Sequence, residues 1–159
     1  MVDVGRIVEM RQRKLADHER AERKALAHVG DARARVEDAR AAMQAYAAEV
    51  ATIERDMLRD MIGKEVSLDD LRRIEEKLRE VEQHAQALSA THTAAKERLA
   101  AAEQHAARQS MIRAQAQGKL NKIREIDTVV TEERREAARA AEDAAMDGLI
   151  DMIAGRGRG

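Results

Sequence analysis

Apolar residues recur along the N-terminal part of the chain at steps of seven. One series is Val8, Leu15, Val29, Val36, Met43, Val50 and Met57, with Glu22 at the remaining position. Its companion is Val4, Ala25, Ala32, Ala39, Tyr46 and Ile53, with Arg11 and His18 at two positions. The two series interleave at a mean spacing of about 3.5 residues, which predicts a helix that supercoils around a partner. A second pair of series begins after residue 67. One row is Leu71, Leu78, Ala85, His92, Leu99, Ala106, Arg113 and Leu120; the other is Ile74, Val81, Leu88, Ala95, Ala102, Gln109, Ala116 and Ile123. The pattern predicts two long heptad helices.

Between the helices lies Met61-Ile62-Gly63-Lys64-Glu65-Val66-Ser67-Leu68-Asp69-Asp70-Leu71. Gly63 can adopt the left-handed conformation that ends a helix, free of the Cβ penalty. Ser67 is a good N-cap, and Asp70 three residues on makes a near capping box. Val66 before the cap can staple to Leu71. A stop signal followed this closely by a start signal predicts a tight reversal. The expected fold is all-α: a two-helix antiparallel coiled-coil hairpin in one domain. Helix 1 covers about 4–62, the tip loop 63–66, helix 2 about 67–153 and a flexible tail 154–159.

A tip near residue 65 sets the register. Met57 then faces Ile74, Ile53 faces Leu78, Val50 faces Val81, Tyr46 faces Ala85 and Met43 faces Leu88. Farther down, Val36 faces Ala95, Ala32 faces Leu99, Val29 faces Ala102, Leu15 faces Ala116 and Val8 faces Ile123. Many layers pair a large residue with a small one, which evens the core volume. The polar seam positions also fall together: Glu22 faces Gln109, His18 faces Arg113 and Arg11 faces Leu120. Two readings of that section stay open, a wet stretch of coiled coil and a register lock in which any slip buries charge. Gly30 and Gly118 each weaken their helix by roughly 1 kcal/mol and permit bending.

The arms are unequal. Helix 1 would span roughly 90 Å at about 1.5 Å per residue, and the residue facing Val4 is Asp127. The overhang from Thr128 to Ile153 still carries Val129, Val130, Ala137, Ala141, Ala144, Leu149, Ile150, Met152 and Ile153. A helix with an apolar stripe and nothing of its own to cover it expects another protein; a frayed end is the plainer alternative.

Composition narrows the function. The chain of 159 residues has no Pro, Cys, Trp or Phe and one tyrosine, Tyr46. Charged residues make up 37%, with 29 Lys and Arg against 30 Asp and Glu. Without Cys there are no disulfides, thiolate nucleophiles or Cys-ligated zinc sites. The near-zero net charge gives no reason to expect nucleic acid, which needs a basic face, and two arginines in the tail are a weak RNA signal. No stretch approaches the ~20 apolar residues that cross a bilayer, and no signal-peptide core precedes Lys14. A soluble, cytoplasmic protein is the expectation, with no membrane insertion. No phosphate-binding glycine loop or metal-binding His-Glu motif occurs. The histidines lie on helices: His84 and His105 read as solvated, and His92 as a polar seam residue facing Ala39. A two-helix rod offers no enclosed pocket for shifting carboxylate pKa values. Neither catalysis, cofactor nor metal is expected.

Three segments resemble the central stalk proteins of type III secretion ATPases, the injectisome YscO family and its flagellar relative FliJ. Arg6-Ile7-Val8-Glu9-Met10-Arg11 resembles the basic-apolar opening of the YscO group. The tip from Met57-Leu58 through Gly63 to Val66-Ser67-Leu68-Asp69-Asp70-Leu71 resembles the YscO turn without a gap, which favours the injectisome. Glu142-Asp143-Ala144-Ala145-Met146-Asp147-Gly148-Leu149 resembles the acidic C-terminal signature, although Asp143, Ala144 and Gly148 depart from it and carry over no contact. The resemblance implies a non-enzymatic stalk at the cytoplasmic base of the secretion apparatus. The end with both termini would enter the hexameric secretion ATPase. The tip would face the cytoplasmic ring of the export gate, and secretion chaperones are further partners of some members. On that basis Arg6, Glu9, Arg124, Glu132, Glu133, Arg134, Arg135, Glu142 and Asp147 lie towards the ATPase. Leu58, Met61, Ile62, Lys64, Val66, Leu68 and Arg72 form the gate-facing tip. Leu58 and Leu68 lie off the seam, which suits an interface. The competing reading is a generic coiled-coil scaffold or chaperone-binding protein that dimerises through its overhang. A nucleic-acid or membrane-surface helix comes third, disfavoured by net charge.

Overall fold

The structure, a computed structural model that describes residues 3–157, consists of α1 (Val4–Met61) and α2 (Leu68–Arg156). No strand occurs among the described residues. The all-α antiparallel helix pair expected from the heptads is the observed fold. Asp3 caps α1: its carboxylate accepts a hydrogen bond from the Gly5 N–H at 3.0 Å, and its carbonyl accepts one from the Ile7 N–H at 3.3 Å. That satisfies donors the first turn would otherwise leave open.

Contacts divide the chain into two units. The unit Ala21–Ser110 contains the reversal. Ala25, Val29 and Ala106 are buried there, with Leu99 and Ala102 packed against them. This is the expected register, with Val29 opposite Ala102. Arg33 and Glu103, flanking the same layers, form an ion pair across the helices at 3.7 Å, largely exposed and therefore worth little. The other unit holds Met1–Arg20 and Met111–Gly159, both chain ends. Its buried residues are Leu15 and Leu120, the latter only 1% exposed. Asp127 and Val130 continue the seam of α2 as half-buried residues, and from residue 131 onwards every described residue is exposed.

Along α1 every seam position, polar ones included, is buried or half-buried. On α2 the same holds from His92 to Ile123, with Ile74, Val81 and Leu88 half-buried as well. Leu71, Leu78 and Ala85 depart from the pattern and are exposed. A two-helix seam covers a side chain only from the partner and from its own neighbours, and Leu71 sits in the first turn with no preceding turn to shield it. Glu22 and Gln109 are half-buried, and Glu22 makes a polar interaction.

The boundaries shift by a few residues. α1 ends at Met61, one residue earlier than expected, and the loop covers 62–67 because Ser67 caps α2 from outside it. α2 runs to Arg156, so Ala154 to Arg156, expected in the tail, are helical. Nothing in that segment breaks a helix before Gly157, whose N–H donates to the Ile153 carbonyl at 3.2 Å. The rest of the expected tail, Arg158 and Gly159, lies outside the described residues.

Gly30 is a helix-interior residue, and a Cβ built there meets nothing within 4 Å. Gly30→Ala therefore gains helix propensity without a clash. It should raise unfolding stability by about 0.8–1 kcal/mol, measured by chemical denaturation monitored by circular dichroism.

Candidate functional site

Two surfaces bear on function: the reversal, and the segments around the chain ends. At the reversal, Gly63 has φ +79°, the only positive φ among the described residues. The Ile62 N–H donates to the Leu58 carbonyl at 3.2 Å, and the Lys64 N–H to the Met61 carbonyl at 3.4 Å. The last carbonyls of α1 are thereby used within the turn. On the α2 side the capping box forms in both directions. The Asp70 N–H donates to Ser67 Oγ at 3.2 Å, and the Ser67 N–H donates to Asp70 Oδ2 at 3.2 Å. These bonds, and the charge of Arg73 after them, hold the Asp70 carboxyl below its ordinary value.

The tip residues expected to face a partner are brought together in part. Met61, Lys64 and Val66 border a groove of about 340 Å³ that also includes Met57, Asp70, Arg73 and Ile74. Leu58 and Met61 border a second, of about 250 Å³, with Met57, Ile74 and Leu78. Val66 thus shares its groove with Met57 and Ile74, and Leu71, its expected staple partner, does not line it. Leu58 is 59% exposed, Ile62 79% and Leu68 66%. Arg72 is exposed as well. The reversal therefore carries several large apolar side chains in solvent.

In the unit with the chain ends, Arg6, Glu9, Arg124, Glu132, Glu133, Arg134, Arg135, Glu142 and Asp147 are all exposed. None of them takes part in the ion pairs found among the described residues, which involve other side chains. Beyond them α2 exposes Met146, Leu149, Ile150, Met152 and Ile153, each by more than half. Nearer the seam, a groove of about 150 Å³ is lined by Arg11, Lys14 and His18 from α1 and by Ile112, Gln115, Ala116 and Lys119 from α2.

Sequence reasoning missed this groove and one aromatic contact. The rings of Tyr46 and His84 meet edge to face with centroids 4.3 Å apart, where His84 reads from sequence as solvated. His84 neighbours Ala85, the seam partner of Tyr46, and that adjacency was the available signal. His92 is half-buried, as its seam position requires, and His105 is exposed. No helix is long and apolar enough to cross a membrane, and no cluster of metal-ligating side chains occurs among the described residues. Comparison with family models, curated proteins and solved structures returns no match to this chain.

Two outcomes test the tip. Gly63→Val forces a β-branched residue into the left-handed region and should cost about 1–2 kcal/mol, read from the denaturation midpoint. The Asp70 pKa is lowered in the folded state, so its contribution to stability is present above the ordinary value of 3.8 and disappears as pH falls through the lowered folded value. Glu37, lowered by its hydrogen bonds to Arg40, acts in the same sense. Asp70→Asn should therefore melt below the parent at neutral pH, with the gap closing in acid. A gap that persists unchanged in strong acid would mean that the charge of Asp70 is irrelevant to the cap.

Proposed function

We propose that the chain is a non-enzymatic stalk of a type III secretion system, working in the cytoplasm at the base of the apparatus. Its end with both termini inserts into the hexameric secretion ATPase, and its reversal faces the cytoplasmic ring of the export gate. The observation that carries this reading is the unpartnered segment of α2, exposed from residue 131 onwards and apolar at Met146, Leu149, Ile150, Met152 and Ile153. Such a segment is stable as part of a larger assembly, because most helical stability in proteins comes from tertiary packing. The exposed apolar cluster of Leu58, Ile62 and Leu68 at the reversal supplies a second surface, and the resemblance of the tip and C-terminal segments to the YscO group names the partners.

A second reading shares the same observation: the exposed apolar segment pairs with a second copy, and the protein is a coiled-coil scaffold or chaperone-binding dimer. The two readings separate in one set of measurements. Added to the secretion ATPase of the same cell, the full chain should raise turnover and the hexamer fraction. Truncation after Asp127 should abolish both effects while leaving the helicity of residues 3–127 intact, and Leu58→Asp with Leu68→Asp should weaken gate-ring binding. A chain that alters neither turnover nor hexamer fraction and does not bind the gate ring is not a stalk. If sedimentation then shows a dimer lost on the same truncation, the scaffold reading holds.

A further inference from the structure

Residues 104–124 contain Arg108, Arg113, Lys119, Lys122 and Arg124 but no Asp or Glu, in a chain whose charges nearly cancel. Part of that acid-free stretch meets α1 at the groove near the chain ends, where Lys119 and Gln115 stand across from Arg11, Lys14 and His18. No carboxylate lines this groove. Of the acids on the same turns of α1, Asp17 is engaged by Arg20, and neither Glu9 nor Glu19 borders the space. Arg11 Nε is shut off from solvent and finds no hydrogen-bond partner among the described residues. With Nε closed off, the terminal nitrogens of Arg11 are the donors it can present to the groove.

We propose that this groove binds a phosphoryl group, held between Arg11 and Lys119 from the two helices with Lys14 beside them. Arg11 offers the two terminal nitrogens of its planar guanidinium, which match two oxygens of a phosphoryl group. Lys119 and Lys14 contribute point charges from two sides. Three full positive charges around one small space call for an anion of more than one charge, which a single carboxylate does not supply. At about 150 Å³ the groove is smaller than the ~300–1,000 Å³ of pockets that enclose drug-sized ligands. It fits the phosphoryl part of a ligand and leaves the remainder outside. The ligand is therefore a free phosphate compound or a phosphate-bearing lipid headgroup. This assignment stands independently of the stalk reading.

The test titrates inorganic pyrophosphate into the full-length chain at low ionic strength in a calorimeter. One saturable site per chain is expected, weakening as salt rises because the groove is open to solvent. Arg11→Gln and Lys119→Gln should each weaken binding about tenfold or more, as expected for loss of a hydrogen bond to a charged group. The paired control Arg55→Gln with Arg59→Gln, two exposed cations on another part of α1, should leave it unchanged. Lys119 is exposed, so its variant keeps the test open should Arg11→Gln lose helicity. Co-sedimentation with phosphatidylcholine vesicles, with and without phosphatidic acid, identifies the source. Groove-dependent capture by the acidic vesicles alone assigns a headgroup, and groove-dependent pyrophosphate binding without capture assigns a free phosphate compound. The proposal fails if neither arm shows saturable binding, if the control pair loses as much as the groove variants, or if acetate binds as tightly as pyrophosphate.

Discussion

Everything in this protein hangs on a seam one side chain deep. Two helices have no third layer to close over their contact, so each apolar residue is covered by its partner and its own neighbours alone. Among the described residues only Leu15, Ala25, Val29, Ala106 and Leu120 reach full burial; most of the seam is half-buried, and Leu71, Leu78 and Ala85 are exposed. Stability therefore accumulates over many weak layers, with no concentrated core among the described residues. The composition follows from this constraint. An aromatic ring buries a large area but needs a deep core, and Tyr46 is the single case, with an edge-to-face contact to His84. A proline inside either helix would remove a hydrogen bond and clash with the preceding turn.

A shallow seam tolerates slippage unless something fixes its register, and here the reversal does so. Gly63 terminates α1 by entering the left-handed region, and the reciprocal bonds between Ser67 and Asp70 start α2. The loop between these two local decisions is too short to allow a choice of pairing. The layer of Val29 with Ala102 and Ala106 is then a consequence of the turn. In the unit with the chain ends, Asp127 and Val130 are the last half-buried residues of α2, and the segment after them is exposed.

The heptads made the helices, their pairing and nearly all the half-buried positions legible, because a spacing of about 3.5 residues has few other physical meanings. The turn was legible for a similar reason: Gly63, Ser67 and Asp70 each act through local backbone bonds. What escaped was whatever depends on how well a residue is covered. Leu71 and Leu78 occupy correct seam positions yet stay exposed, since periodicity assigns a face and does not measure its burial. Val66 lines a groove with Met57 and Ile74, a neighbourhood across the turn that periodicity along either helix does not specify. The last turn of α2 ran past its expected end, since Gly155 lowers helix propensity without forbidding the helix.

Charge shows most plainly how a sum along the chain misleads. A net charge near zero argues against polyanionic partners only if positive and negative groups are mixed within the distance over which they act. That distance is about 8 Å at physiological ionic strength, roughly one and a half turns of helix. Arg11, Lys14 and Lys119 line one groove with no carboxylate in its lining. Farther along α2, Glu132, Glu133, Glu136, Glu142, Asp143 and Asp147 outnumber the arginines between them. The register converts a balanced sequence into a surface with separated signs, because α2 brings its acid-free stretch to a basic part of α1. A partner that touches the groove and one that touches the C-terminal segment would meet opposite potentials on the same unit, so this chain can discriminate between ligands by charge despite having almost none overall.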